Sequence, residues 1–164
     1  MFEISRLTVE HLRSGCVTDK ASPRFGFAVR SDRAGAKLVA AQLKVGDWET
    51  ALGDEAQKGT VYAGAALKPF TTYSVKLTAT DDAGETAYAE TTFETGRMGT
   101  AWKAQWITDG SYKFTEKKVS PVPMVFRKSI QTKKPVAWAR LYATAMGIYE
   151  VELDGKKLGS QYFA

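Results

Sequence analysis

Apolar and polar residues alternate with a period of two along much of the chain. Residues 24–30 and 73–79 each place large apolar side chains at every second position. This alternation predicts strands that bury one face and expose the other. A helical repeat of apolar residues is missing, and its best candidate, residues 34–45, fits a strand equally well. The pattern therefore predicts an all-β fold.

Turn residues separate the predicted strands at regular intervals. Residues 86–95 follow a turn at 81–85 that contains two Asp residues and Gly84, so residues 71–95 predict an antiparallel hairpin. Short strands spaced by roughly 10 residues are typical of an antiparallel sandwich of about 100 residues. We assign residues 1–97 to such a β-sandwich domain.

One segment inside this domain resembles a known structural motif. Residues 67–73 read LKPFTTY, which is similar to the L-x-P-x-T-x-Y corner of fibronectin type III domains. In that corner the tyrosine hydroxyl bonds back to the backbone near the preceding turn. The resemblance predicts this role for Tyr73 and a fibronectin type III or immunoglobulin-like sandwich for the domain.

The pattern breaks around residues 96–100, which contain two glycines. Residues 1–97 hold 12 basic and 13 acidic side chains, a net charge of −1, whereas residues 98–164 hold 11 and 5, a net of +6. We place a domain boundary here. Beyond it, Pro121 and Pro123 precede residues 124–127, which predicts an edge strand there.

Residues 149–158 predict a second hairpin. Asp154-Gly155 is a strong signal for a type I′ turn, which pairs Leu153 with Lys156 and Glu152 with Lys157. The alternation places Tyr149, Val151 and Leu153 inward and Glu150 and Glu152 toward water. Because one hairpin cannot form a core, we expect residues 98–164 to be a linker and the first strands of a second, truncated β-sandwich.

The composition, 44% hydrophobic and 25% charged, is that of a globular protein. No apolar run is long enough for a membrane helix, and the first residues lack a signal-peptide core. The sequence therefore allows a cytoplasmic protein, or a periplasmic or secreted one from which a leader has been removed. We expect no membrane partner.

The residue types that carry much catalytic chemistry are scarce. One cysteine, Cys16, and one histidine, His11, exclude an internal disulfide and a Cys/His zinc site, and we expect no metal and no cofactor. No carboxylate evidently orients these two residues for nucleophilic catalysis. We expect a packed or surface His11 and an inert Cys16.

Charged pairs are more frequent, and we interpret them as solvated surface. General-acid catalysis needs a carboxyl group with a raised pKa, and the acidic pairs look solvated. They are Asp54-Glu55, Asp81-Asp82 and Glu150 with Glu152. The basic pairs lack interleaved aromatic residues, so we expect no nucleic-acid partner. They are Lys117-Lys118, Arg127-Lys128, Lys133-Lys134 and Lys156-Lys157.

Five aromatic residues of the C-terminal third allow two interpretations. Aromatic side chains most often pack in a core or between domains, and they also stack on the C–H faces of sugar rings. We favour packing for the set, which is Trp102, Trp106, Trp138, Tyr142 and Tyr149. Carbohydrate contact is the alternative for Trp138, Tyr142 and Tyr149.

Several motifs, in order, resemble bacterial α-L-rhamnosidases of glycoside hydrolase family 78. Residues 7–10 (LTVE) and 22–27 (SPRFGF) are similar to the family's L-x-V-E and P-R-F-S-W, and residues 93–96 (FETG) and 102–107 (WKAQWI) to its F-E-T-G and W-x-A-x-W-I. The most specific match is residues 140–159, which resemble A-R-L-Y-x-T-A-L-G-Y-Y-E-x-x-L-N-G-x-x-V-G. The chain departs from the family pattern at three places. Phe27 stands where the family usually has Trp, Asp154 where it usually has Asn, and residues 45–59 differ from the usual W-D-S-G-x-V.

The resemblance implies an N-terminal fibronectin-like domain, then a jelly-roll-like sandwich of carbohydrate-binding type, then an (α/α)₆ barrel with the catalytic acids. No residue of this chain matches the catalytic positions, so no catalytic residue is assigned. The implied function is a non-catalytic accessory region whose partner is the (α/α)₆ domain. The parent enzyme would hydrolyse terminal α-L-rhamnosides with inversion of configuration. The alternative is a stand-alone glycan- or protein-binding module.

Overall fold

A computed structural model describes residues 1–53, 59–110 and 123–159. The chain divides into two compact units, Met1–Trp106 and Ile107–Ala164. The predicted boundary between residues 97 and 98 stays a prediction.

The described residues of the first unit form eight strands. In chain order they are β1 (Phe2–Val9), β2 (Cys16–Thr18), β3 (Arg24–Ser31), β4 (Leu38–Val45), β5 (Trp48–Leu52), β6 (Thr60–Val61), β7 (Thr72–Asp81) and β8 (Thr86–Thr95). They make a three-stranded sheet of order β1-β3-β6 and a five-stranded sheet of order β2-β8-β7-β4-β5. All pairs are antiparallel except β2 with β8. The predicted sandwich is confirmed, and residues 34–45 contain strand β4.

The core forms because alternate residues of both sheets point inward. Along β7 the buried positions are Val75, Leu77, Ala79 and Asp81, with more exposed residues between them. The Phe93 ring on β8 lies edge-on to that of Phe25, with centroids 5.9 Å apart, which joins the two sheets through an aromatic pair. Burial of the alternating face is therefore the main force that holds the sheets together.

The predicted tyrosine corner is present. The Tyr73 hydroxyl accepts a hydrogen bond from the Lys68 backbone N–H at 2.8 Å. Its ring stacks on Phe93 with 5.4 Å between centroids. Tyr73 thus joins the loop before β7 to the core.

The predicted hairpin of the second unit is also present. Strands β9 (Glu152–Leu153) and β10 (Lys156–Lys157) pair Leu153 with Lys156 and Glu152 with Lys157. Asp154 and Gly155 have φ of 50° and 76°, as a type I′ turn requires.

Two expectations for this unit are wrong. Leu153 is 61% exposed rather than inward, because a strand of two residues buries a face only where another layer covers it. Residues 124–127 form no strand, and Val125 among them is 93% exposed. Lys157 forms an ion pair with Glu150, with 2.8 Å between Nζ and Oε1.

Candidate functional site

The carboxylate pair Asp81 and Asp82 at the β7–β8 turn is held by several hydrogen bonds and by an ion pair with Arg33. Asp81 is only 1% exposed, so the expectation of a solvated side chain is wrong for this residue. Its Oδ1 accepts hydrogen bonds from the backbone N–H groups of Ala83 and Glu85, both at 2.9 Å. Its Oδ2 accepts from Arg33 at 3.1 Å. The Asp81 carboxylate can be buried because the turn backbone and Arg33 supply its hydrogen bonds.

Neither carboxyl group of this pair has the raised pKa that a general acid needs. Burial raises the pKa of Asp81, but hydrogen bonds from Arg33, Glu85 and Ala83 outweigh it, and the net pKa is lowered. Asp82 also pairs with Arg33 and accepts from the Lys37 backbone N–H, and these bonds lower its pKa to about 2. A general acid at neutral pH needs the opposite shift, so this group closes a turn and is not suited to proton transfer.

The remaining acidic candidates add no site. Glu150 and Glu152 are exposed, as expected. Asp54 and Glu55 lie outside the described residues. In the part of the chain that the structure describes, no three His, Cys, Asp or Glu side chains are grouped so that they could hold a metal ion.

Cys16 and His11 are also placed as expected. Cys16 is buried, and that burial, together with the nearby Glu10 carboxylate, raises the pKa of its thiol. A raised pKa reduces the thiolate fraction and makes the thiol unreactive. His11 is exposed, in a two-residue turn that also contains Glu10, and the φ of these residues is 70° and 49°.

Glu10 has a structural role that the sequence did not reveal. Its carboxylate accepts from the Arg24 backbone N–H at 2.7 Å and from the Lys20 ammonium group. Burial raises its pKa, yet these bonds lower the net value. Because Lys20 is ten residues and Arg24 fourteen residues away along the chain, no local sequence signal identifies the contact.

The aromatic candidates lie mostly on the surface. Trp138 is 77% exposed, Trp102 and Trp106 are exposed as well, and Tyr142 and Tyr149 are half-buried. None of the three tryptophans is buried among the described residues, and packing between domains and sugar contact both stay predictions. The Tyr149 hydroxyl donates to the Ala143 carbonyl oxygen at 3.0 Å, which holds that ring against its own loop.

The basic pairs are solvated, as expected, with Lys157 alone half-buried beside Glu150. Lys117 and Lys118 lie outside the described residues. None of the described segments is a helix that is long and apolar enough to cross a membrane.

The two sheets, the tyrosine corner and the shared core define the first unit as an immunoglobulin-like β-sandwich domain. A family model described as "Rha78A-like, N-terminal immunoglobulin domain" matches residues 4–99, and the chain belongs to that family. The family resemblance seen in the motifs is thereby confirmed.

Two curated relatives carry the name α-L-rhamnosidase. The protein of Streptomyces avermitilis is 26% identical over an alignment of 182 positions, which covers 92% of this chain and 18% of the relative. The protein of Alteromonas sp. (strain LOR) is 40% identical over 63 residues, which cover 35% of this chain and 6% of the relative. The chain thus spans less than a fifth of the length of either relative.

Two solved structures with a similar fold are also α-L-rhamnosidases. The α-L-rhamnosidase of Streptomyces avermitilis, complexed with L-rhamnose, superposes with a TM-score of 0.59 and 26% identity, over 66% of this chain and 12% of that one. The α-L-rhamnosidase from Dictyoglumus thermophilum has a TM-score of 0.56 and 29% identity, over 64% and 14%.

Proposed function

We propose that this chain is a non-catalytic accessory region of an α-L-rhamnosidase that hydrolyses terminal α-L-rhamnosides of plant or bacterial glycans. The observation that carries the proposal is the match of residues 4–99 to the N-terminal immunoglobulin domain of the Rha78A-like family. Two relatives that carry the enzyme's name support it.

The chemistry of the described carboxylates supports a non-catalytic role. Inverting glycosidases need a carboxylic acid of raised pKa and a second carboxylate about 6.5–9.5 Å away that activates water. Asp81 and Asp82 are adjacent, share Arg33, and both have lowered pKa values. In this proposal the acids belong to an (α/α)₆ partner domain elsewhere in the parent enzyme.

The second unit fits the same proposal as the first part of another β-sandwich. The hairpin β9–β10 has the turn and register of a sheet element, yet Leu153 on β9 and Leu158, which directly follows β10, are exposed. Apolar positions of this kind are normally covered in a sandwich of two sheets. Further strands of a longer polypeptide would supply that cover.

The direct test is an assay of the chain with 4-nitrophenyl α-L-rhamnopyranoside. The chain alone should release no nitrophenol above the buffer rate, whereas the longer polypeptide that contains it should release nitrophenol. Activity of the isolated chain would contradict the non-catalytic role. An inactive longer polypeptide would contradict the assignment to a rhamnosidase.

Sugar binding by Trp138, Tyr142 and Tyr149 is the second candidate, favoured by the open surface of Trp138. Isothermal titration with rhamnosylated oligosaccharides distinguishes the two. An accessory spacer gives no heat of binding, and a binding module gives heat that Trp138→Ala removes. Tyr88→Ala, which removes an exposed ring from the sandwich, is the matched control.

A further inference from the structure

The segment that follows β8 is bonded to the sandwich although its composition suggests a linker. We call residues 96–102 the exit segment. The Gly96 N–H donates to the Thr18 carbonyl oxygen at 3.0 Å, and the Gly96 carbonyl oxygen accepts from the Phe70 N–H at 2.9 Å. The backbone bonding of the sheet region therefore continues past the last residue of β8.

The exit segment then reverses in a tight turn. The Thr100 N–H donates to the Arg97 carbonyl oxygen at 2.8 Å, and the two residues between them, Met98 and Gly99, have φ of 48° and 78°. These are the features of a type I′ turn. Met98 is an unfavourable residue for a left-handed conformation, so other contacts must hold it there.

Asp19, in the loop after β2, supplies the contact that holds this turn. The Met98 N–H donates to Asp19 Oδ1 at 2.8 Å, and the Met98 side chain packs against the core. Gly96 makes room for the carboxylate, because a Cβ on Gly96 would lie 2.6 Å from Asp19 Oδ1. Asp19, Gly96 and Met98 thus depend on one another.

An aromatic contact completes the segment. The Arg97 guanidinium lies 3.7 Å from the ring centroid of Trp102, and it also donates to the Thr100 carbonyl oxygen. A guanidinium over an indole face is a favourable cation–π geometry. The side chain of Arg97 therefore contacts both the Trp102 ring and the Thr100 backbone of the exit segment.

We propose that Asp19 fixes the exit segment to the sandwich, so that the immunoglobulin domain ends in a rigid connector through Trp102 and not in a flexible linker. The connector sets the direction in which the chain leaves the domain. Its value for the enzyme rests on the proposed function, since an accessory domain positions a catalytic module only through a fixed connection.

Trypsin provides the test, because Arg97 is a cleavage residue inside the connector. In the unchanged protein, cleavage after Arg97 should be at least about tenfold slower than after the exposed Arg127, as judged by mass spectrometry. Asp19→Ala and Gly96→Ala should each accelerate cleavage after Arg97 by about tenfold, which is the size expected for loss of one hydrogen bond to a charged group.

Two matched variants separate the contact from general effects. Asp19→Asn keeps an acceptor oxygen and should restore slow cleavage. Gly53→Ala adds a Cβ with no atom within 4 Å and should change nothing. Equal cleavage after Arg97 and Arg127 in the unchanged protein would overturn the proposal, as would alanine variants that are cut no faster.

If the alanine variants unfold, cleavage after Arg30 and Lys76 in the strands will rise as well. In that case, amide hydrogen exchange of the unchanged protein tests whether the connector is rigid. The Met98 amide should exchange at least about tenfold more slowly than the Lys103 amide, and equal rates would refute the connector. Neither measurement involves rhamnoside hydrolysis, so failure of the connector and failure of the proposed function are distinguishable.

Discussion

Strands β7 and β8 bury Val75, Leu77 and Phe93 in the sandwich, whereas Leu153 on β9 and Leu158, directly after β10, are exposed. Both hairpins have apolar residues at alternate positions and a turn with glycine at positive φ. The difference is that β7 and β8 belong to a five-stranded sheet with a second sheet packed against it. Alternation and turn chemistry form a hairpin, but a covering layer is what makes it stable.

The largest expected effect is a core truncation compared with a surface one. Phe93→Ala removes a ring that is 1% exposed and contacts Phe25 and Tyr73, and it should lower the free energy of unfolding by about 3–5 kcal/mol. Trp138→Ala removes a larger but exposed ring and should change it by less than about 0.5 kcal/mol. Urea unfolding followed by circular dichroism measures both. Equal losses of unfolding free energy in the two variants would contradict a buried role for Phe93 and an exposed one for Trp138.

Loss of the tyrosine-corner bond should cost less. Tyr73→Phe keeps the stacked ring but removes the oxygen that accepts from the Lys68 N–H, so we expect a loss of about 1 kcal/mol in the same unfolding experiment. Tyr88→Phe removes a hydroxyl from an exposed strand position and is the control, with no change expected. If both variants behave alike, the corner contributes nothing to stability.

Glycine substitutions in the two turns compare the units directly. Gly84 and Gly155 have φ of 82° and 76°, and alanine at either position should cost about 1 kcal/mol. Gly84→Ala should lower the stability of the whole sandwich. Gly155→Ala should speed exchange of the Leu158 amide, which donates to Val151, and leave the Phe93 amide unchanged. Faster exchange of the Phe93 amide in both variants, or in neither, would contradict this expectation.

The smallest expected effect concerns pH. The pKa of Asp82 falls from its ordinary 3.8 to about 2 in the folded chain, mainly through Arg33, so its contribution to stability is present above pH 3.8 and is lost as pH falls toward 2. Asp82→Asn should therefore lower the melting temperature at pH 7 and have less effect at pH 2.5. Glu49→Gln, at an exposed position of β5, is the control. A deficit that is the same at both pH values would refute the role of charge.

Much of the fold could be predicted from local signals. Thr86–Thr95 matches strand β8 as predicted, and Asp154-Gly155 specified both the turn and the register of β9 with β10. The corner at Tyr73 was also readable, because its partner Lys68 is five residues away. These features depend on contacts within a few residues, which a linear pattern can encode.

One wrong expectation and one unforeseen contact involve residues that are distant in the sequence. Asp81 was expected to be solvated, because nothing near it in sequence shows that Arg33, 48 residues earlier, pairs with it. The hydrogen bond from the Met98 N–H to Asp19 spans 79 residues, so no local pattern indicates it. Tertiary packing alone creates such pairs.

The sequence by itself therefore determined the all-β class, the positions of β3, β7 and β8, both hairpin turns and the family. The tertiary structure decided which charges are buried, which apolar residues of the second unit stay exposed, and how the chain leaves β8. The physical reason is that strand and turn preferences act over a few residues, whereas burial and ion pairing depend on which surfaces the folded chain brings together.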